Sequence, residues 1–420
     1  MSTGATTGFS ANQKKMALFY VIAIVLGVLN GYVGTDLTVQ GGDLIANIFV
    51  RLFKFIAIPV IAVSIIATLG RASRAKDSAS IFRHTIFYTL LTTILAASLA
   101  AALFFMFAPA NVTTAAAVAP EGIVQHSYME YLLSAIPNNV IAPFLSGNVL
   151  AVLLIAAAFG LALSHLPDES AGKTTVLNFF DGLQATLFKL ISWIILFLPI
   201  GIFGFVSQLM SEINAGVNVG GLGSYFATVL TANFVQMIII LPLMLLLRGL
   251  NPIKVARAMF PALTLAFFSK SSAATLPVTM QSAENNLQVS PKVARFVLPI
   301  CTTINMNGCA AFILVTVIYL MQNAGLDITF GTVLAWILIS TLAAVGNAGV
   351  PMGCFFLSAS LLASMNVPIG LMGVILPFYA VIDMIETTLN VWSDSCVAAM
   401  VDHDIGRPRY KQKEAGVTRL

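Results

Sequence analysis

Long apolar runs separated by short polar links fill most of the chain. The runs at 17–33, 85–107, 149–164, 225–247 and 295–321 reach or approach the 20 or so helical residues that cross a bilayer's hydrocarbon. The pattern predicts eight crossings, near residues 17–34, 44–70, 82–108, 130–166, 174–211, 222–249, 293–322 and 368–401. The fourth is long and carries Pro137, Pro143 and Gly147, so a bend or division is expected within it.

Two more apolar segments do not read as plain crossings. Residues 252–282 hold Ser269-Lys270-Ser271-Ser272-Ala273-Ala274-Thr275-Leu276-Pro277 in mid-segment, and residues 329–365 hold Gly346-Asn347-Ala348-Gly349-Val350-Pro351-Met352-Gly353. In each, an apolar arm leads into small and polar residues, then a proline, then a second apolar arm. Proline ends a helix by removing a donor, and glycine permits a tight reversal. Both segments are therefore expected to be re-entrant helical hairpins, whose irregular tips must be buried in protein or line a wet cavity. The tips share a short pattern, Ala274-Thr275-Leu276-Pro277 against Ala348-Gly349-Val350-Pro351. Interrupted segments in corresponding places of two halves point to inverted repeats with a transport site between them.

Composition fixes the class. Of 420 residues, 58% are hydrophobic and 9% charged, against roughly 25% charged in soluble domains. The expectation is an all-α polytopic membrane protein. The net charge of +4 resides in loops and tails, so it speaks to orientation and gives no reason to expect a nucleic-acid partner. Lys14 and Lys15, the cluster Arg71, Arg74, Lys76 and Arg83, and the group Arg407, Arg409, Lys411 and Lys413 all fall on one side if the number of crossings is even. The positive-inside rule makes that side cytoplasmic, with both termini there and the lysine-free link 108–125 outside. Residues 1–13 are polar and lack an apolar signal core, so no cleavable signal is expected. Cys301, Cys309, Cys354 and Cys396 all lie in apolar segments without metal-ligand spacing, which predicts free thiols in packed helices and no disulfide framework.

Chemistry concentrates in the last crossing. Asp383, Glu386, Thr387, Asn390 and Asp394 stand at offsets of 3, 4, 7 and 11 from the first, within about 100° of one helix face. Carboxylates in mid-membrane cost about 2.5–3.5 kcal/mol each on insertion scales, so three together cost on the order of 8–10 kcal/mol. Such a stripe is either a structural polar network or a site for a cation or an ammonium group. Asn390 can donate to a carboxylate and accept from an amine, which suits an amino-acid backbone. In the seventh crossing, Thr302-Thr303-Ile304-Asn305-Met306-Asn307-Gly308 would suit an unwound turn whose oxygens coordinate a hard cation, or alternatively hydrogen bonding between helices. Ser271 and Ser272 offer hydroxyls and a helix N-terminus that favour an anion. Lys270 beside them is either a snorkelling lysine or the partner of Glu386 or Asp383. His84, His126, His165 and His403 are scattered, and no nucleophile–base arrangement is present, so an enzyme is not expected.

Four motifs then carry a resemblance: Ser271-Ser272-Ala273-Ala274-Thr275-Leu276-Pro277-Val278-Thr279-Met280, Asn305-Met306-Asn307-Gly308, Gly346-Asn347-Ala348-Gly349-Val350-Pro351, and Asp383-Met384-Ile385-Glu386-Thr387-Thr388-Leu389-Asn390 with Asp394. In this order they resemble the dicarboxylate/amino acid:cation symporters, which include the glutamate transporters. The resemblance implies a homotrimer working by an elevator mechanism. Its scaffold would comprise residues 1–81 and 109–212, its moving unit residues 82–108 and 213–402, followed by a cytoplasmic tail, 403–420. The second hairpin, with Gly349 and Pro351, would be the gate.

By the same resemblance, Asp383 would hold a substrate ammonium. Asn390 and Ser272, with amides near Val350, would hold its carboxylate, and Ser271 and Thr387 would complete the pocket. Carbonyls of Cys301, Asn305 and Asn390 with the Asp394 carboxylate would bind one sodium ion. Thr303 with the backbone around Ala344, Val345 and Asn347 would bind a second, and Thr92, Thr93 and Asn305 match part of a third, at which Asn307 also stands. The chain departs from the family at informative positions. Glu386 stands where acidic-substrate members carry an arginine, and Cys309 replaces a threonine touching the same side chain. Facing carboxylates repel, and glutamate at this position is similar to the serine/threonine symporters, so a small neutral amino acid such as serine, threonine or alanine is expected. Cationic amino acids remain a rival, as do acidic substrates if Lys270 or a proton supplies the missing charge. Asn307 in place of an aspartate and Thr89 in place of a tyrosine imply fewer coupled sodium ions, or a proton instead of one. No cofactor is expected. A membrane solute sensor that keeps the fold without transport is the alternative of a different class.

Overall fold

The computed structural model describes residues 11–71, 79–112, 136–146, 148–167, 169–214, 220–347, 349 and 352–415. These residues are nearly all helical, with no strand among them. In chain order the helices are α1 (Ala11–Val33), α2 (Asp36–Gly70), α3 (Ala79–Phe107), α4 (Ala142–Ser146), α5 (Val149–His165), α6 (Ala171–Leu196), α7 (Leu198–Asn214), α8 (Gly221–Val235), α9 (Leu241–Leu247), α10 (Pro252–Ser269), α11 (Ser272–Asn285), α12 (Pro291–Ile304), α13 (Asn307–Asn323), α14 (Phe330–Val345), α15 (Gly353–Ser364) and α16 (Gly370–Ala415). Among the described residues, five continuous helical segments have the length and apolarity to cross a membrane: Ser80–Phe107, Ala171–Leu196, Gly221–Leu247, Pro291–Asn323 and Gly370–Ile405.

Local chemistry sets the helix ends. Asn251 accepts the Ile253 and Lys254 amides ahead of Pro252 at the start of α10, and Thr329 forms a reciprocal cap with Thr332 at the start of α14. Such caps satisfy amides that a helix cannot bond internally. The fourth expected crossing is divided, with Asn148 capping α5 through the Ala151 amide. The fifth, expected as one element over 174–211, is instead broken at Phe197. Pro199 cannot give Ile195 its helical hydrogen bond, and the Phe197 amide turns back to Trp193 and Ile195. The sixth contains a π-helical turn at Gln236–Ile240. The last helix continues past the expected end at 401 to Ala415.

Two apolar cores flank a polar layer. One gathers the C-terminal half of α3, α8, α13, α14, α15 and the first part of α16 as far as Ile382, together with α1, α2, α5, α6 and α7. The other gathers Ile81 and Tyr88 of α3, α9, α10, α12, and α16 from Leu389 onward. Where α3, the π turn, the α12–α13 junction and α16 pass between them, the buried residues are Thr89, Thr92, Thr93, Asn233, Gln236, Thr302, Asn305, Asn307, Asp383, Glu386, Thr387 and Asn390. Buried polar groups are costly unless bonded or given a ligand, so this layer is where function is to be sought.

Candidate substrate and cation site

The turn between α10 and α11 meets Gly349, in the segment between α14 and α15, at this layer. Arm α10 ends at Lys270 in the left-handed region, with φ 54°, and Ser271 caps α11 by accepting the Ala274 amide at 3.2 Å. Ser271 Oγ donates to the Gly349 carbonyl at 3.0 Å, and the Ala273 amide approaches the same oxygen at 3.4 Å. Gly349 has φ +64°, and a Cβ there would lie 2.8 Å from the Thr302 carbonyl. Gly349→Ala therefore combines left-handed strain of about 1–2 kcal/mol with a backbone clash. It is expected to lower thermal stability by at least that amount and to separate the tips, checked by unfolding in detergent and by cysteine cross-linking across them.

Beyond Gly349, the Met352 amide donates to Asp383 Oδ2 at 3.1 Å, tying the second hairpin to the acidic helix. Asp383 is 3% exposed and Glu386 1%. Tyr379 donates its hydroxyl to Glu386 Oε2 at 2.9 Å, whereas Glu386 Oε1 is buried with no hydrogen-bond partner. The two carboxylates stand three residues apart on α16. Lys270 is the basic residue at the end of α10. Among the described residues it forms no ion pair with either. Of the two readings of Lys270, a snorkelling lysine or the partner of Glu386 or Asp383, the direct ion pair is not formed.

Cys309 and Cys354 are joined as a disulfide, with Cα atoms 5.4 Å apart, which corrects the expectation of four free thiols. The bond links α13 to α15, which fold against each other across a separation of 45 residues. Cys301 and Cys396 remain free and buried. Asn347 Nδ2 lies 2.9 Å from Cys309 Sγ and 3.1 Å from Cys354 Sγ. Asn390 accepts the Gly308 amide at 2.9 Å and extends its own amide toward Cys309 Sγ at 3.4 Å. Gly308 is required for this approach, because a Cβ there would meet the Glu386 Cα at 2.9 Å.

One turn along α16, a second cluster forms around the α12–α13 break. Asn305 and Met306 lie outside both helices, which frees the Asn305 side chain to donate to Asp394 Oδ1 and Ser393 Oγ, each at 2.9 Å. Thr92 donates to Asn305 Oδ1 at 3.0 Å. Asn307 Nδ2 contacts Ser393 Oγ at 2.8 Å and Asn305 Oδ1 at 3.0 Å, and Gln236 donates to Asn307 Oδ1 at 2.8 Å. Thr93 donates to the Thr89 carbonyl at 2.7 Å and takes no part in that cluster. Asp394 is 1% exposed, with Asn305 as its hydrogen-bond donor. Thr303 donates to the Ile300 carbonyl at 2.9 Å near the end of α12. Helix α12 also touches α14, whose last carbonyls, around Ala344 and Val345, form the electronegative end of a helix.

The candidates thus fall into three groups. Ser271, Gly349, Asp383 and Glu386 belong to the tip region with Cys309, Asn347 and Asn390. Cys301, Asn305, Asn307, Thr92 and Asp394 surround the broken helix, and Thr303 lies at the end of α12 and Ala344 and Val345 at the end of α14. Ser272 and Thr387 are buried alongside. Val350 and Pro351 lie outside the described residues. Tyr379, Gln236, Ser393 and Cys354 were not anticipated. Tyr379 stands seven residues before Glu386 on the same face, and Gln236 is an amide in an apolar run, so both had a signal.

Chemically, three buried carboxylates have no basic side chain within ion-pair reach among the described residues. Unpaired buried charge is strongly unfavourable. The arrangement suits a cationic cargo, an ammonium group near Asp383 and a hard metal ion near Asp394.

A family model described as the sodium:dicarboxylate symporter family matches residues 16–404. The neutral amino acid transporter B(0) of Oryctolagus cuniculus is 27% identical, over 96% of this chain and 83% of its own length. The human protein of the same name is 27% identical, over 95% and 82%. An excitatory amino acid transporter of Caenorhabditis elegans is 28% identical, over 93% and 88%.

Proposed function

Since the chain belongs to the sodium:dicarboxylate symporter family, a family of transporters and not of enzymes, we propose that it carries a small neutral amino acid, of the serine, threonine or alanine type, inward with sodium. The observation that carries this reading is Glu386. Its Oε2 is held by Tyr379 and its buried Oε1 has no partner, so the side-chain end of the pocket presents an acceptor. A hydroxyl or a small apolar group is tolerated there, and a second carboxylate is repelled. At the other end, Asp383 would take the α-ammonium, exchanging or sharing the Met352 amide. Asn390 and the Ser272 region would take the α-carboxylate. Names on both sides of the substrate divide occur among the relatives, neutral and excitatory, so the preference rests on this residue.

In the same reading, sodium binds near Asp394 with the carbonyls of Cys301, Asn305 and Asn390, and a second ion near Thr303, Ala344, Val345 and Asn347. The side chains of Thr92, Asn305 and Asn307 are already engaged with one another and with Gln236, which supports fewer coupled ions than three. An elevator with eight crossings, two re-entrant hairpins and three protomers in the inner or plasma membrane completes the proposal. Supporting it, α1, α2, α5, α6 and α7 pack together, and α3 packs with α8, α13, α14 and α16.

Serine uptake into proteoliposomes under an inward sodium gradient tests the substrate, with threonine, aspartate and arginine as competitors. Uptake blocked by threonine and not by aspartate is expected. Direct transport of aspartate or arginine without serine would overturn it, and accumulation of none of them would leave a sensor. Glu386→Arg is expected to reverse the choice, admitting aspartate and lowering serine uptake at least about tenfold, the penalty of roughly 1.4 kcal/mol that a mispaired charge readily exceeds.

A further inference from the structure

We propose that the reduced Cys309–Cys354 pair and Glu386 form a binding site for a thiophilic divalent cation of the zinc and cadmium class. The two Sγ atoms and a Glu386 carboxylate oxygen all lie within 4.8 Å of one another, and all three residues are buried. A tetrahedral d10 ion, with sulfur ligands at about 2.3 Å and oxygen at about 2.1 Å, needs its ligand atoms about 3.5–3.8 Å apart. Small side-chain rotations supply that from the present arrangement once the sulfurs are separate thiols.

The surroundings match what such ions require outside their ligands. Asn347 Nδ2 stands within 3.1 Å of both sulfurs and Asn390 Nδ2 within 3.4 Å of one. Their N–H groups would stabilise thiolates. Tyr379 fixes the orientation of the Glu386 carboxylate through Oε2, leaving Oε1 without a partner in a buried position. Partners of this kind orient metal ligands and hold them in their basic form. Two thiolates also balance the dication's charge, so filling the site adds no net charge where two thiols were, the two thiol protons being released. With three protein ligands the fourth position stays open. Cys309 and Glu386 line the proposed substrate pocket, so on that reading the bound ion blocks uptake.

The test uses the purified full-length protein in detergent, kept reduced by a phosphine and titrated with cadmium chloride alone. Thiolate-to-cadmium absorption in the ultraviolet and equilibrium dialysis are the readouts. One cadmium per chain is expected, lost in Cys309→Ser and in Cys354→Ser and kept when Cys301 and Cys396 are both replaced by serine. Glu386→Gln is expected to weaken binding at least about tenfold. Since losing a cysteine can also disturb the fold, wild-type protein treated with diamide gives an independent arm. There the two thiols lose two protons and two electrons as the sulfurs join, the azo group of diamide is reduced to a hydrazine, and cadmium binding disappears until the phosphine restores it. No binding to the reduced wild type, binding that survives loss of Cys309 or Cys354, binding indifferent to diamide, or unchanged affinity in Glu386→Gln would overturn the three-ligand site. No transport is measured, so failure here leaves the proposed substrate standing, and failure of serine uptake leaves the metal site standing.

Discussion

Asp383→Ala is expected to abolish amino-acid binding, and Asp383→Asn to do nearly the same while preserving the fold. The two variants separate the roles of this carboxylate. Its Oδ2 accepts the Met352 amide that ties the second hairpin to α16, and its charge, 3% exposed, has no ion-pair partner among the described residues. Alanine removes both functions. Asparagine keeps a carbonyl oxygen of the same reach for Met352 and removes only the charge. Removing one partner of a buried charge pair costs about 2–5 kcal/mol, or roughly 30- to several-thousand-fold in affinity. Serine binding by calorimetry in detergent is the measurement. Full affinity in Asp383→Asn would show that the residue serves only to hold the hairpin.

Asp394→Asn produces the second large effect, and on a different ligand. The residue is buried, takes one hydrogen bond from Asn305 and lies beside the break between α12 and α13. Substrate contacts are assigned elsewhere, so the amide should raise the sodium concentration needed for half-maximal serine uptake while leaving the order of preferred amino acids unchanged. An ionised ligand contributes about 1.5–3 kcal/mol, so a shift of about 10- to 100-fold is expected. Uptake measured against sodium concentration in proteoliposomes decides it. An altered substrate order with an unaltered sodium response would exchange the roles assigned to Asp383 and Asp394.

Much of this arrangement is legible in the chain because strong local rules govern it. Asp383, Glu386, Asn390 and Asp394 declare a helical face by spacing alone. Pro277 with the preceding small residues marks the first hairpin, and Asn305 and Asn307 sit where the seventh crossing loses its helix. The break at Phe197 also had a local cause in Pro199, outweighed by the apolar continuity of residues 174–211. The remainder depends on tertiary neighbours. Cys309 meets Cys354 only because α13 and α15 pack together, and Gln236 reaches Asn307 only because α8 and the π turn lie against α3 and α13. Lys270 shows the converse, a charge beside the right motif that forms no ion pair with either acidic group its sequence position offered.

On the reading of the second hairpin as the gate, the contact between the tips also bears on how often the pocket is accessible. Three hydrogen bonds hold the second hairpin down, from Ser271 Oγ and the Ala273 amide to Gly349 and from the Met352 amide to Asp383. At a net value of about 0.5–1.5 kcal/mol each, they favour closure by about 1.5–4.5 kcal/mol. Lifting the tip would then be a routine fluctuation, with roughly a tenth to a thousandth of substrate-free molecules having it raised at any moment. Measured affinity for any cargo entering that way would be weakened by the same fraction, relative to its affinity for the raised state.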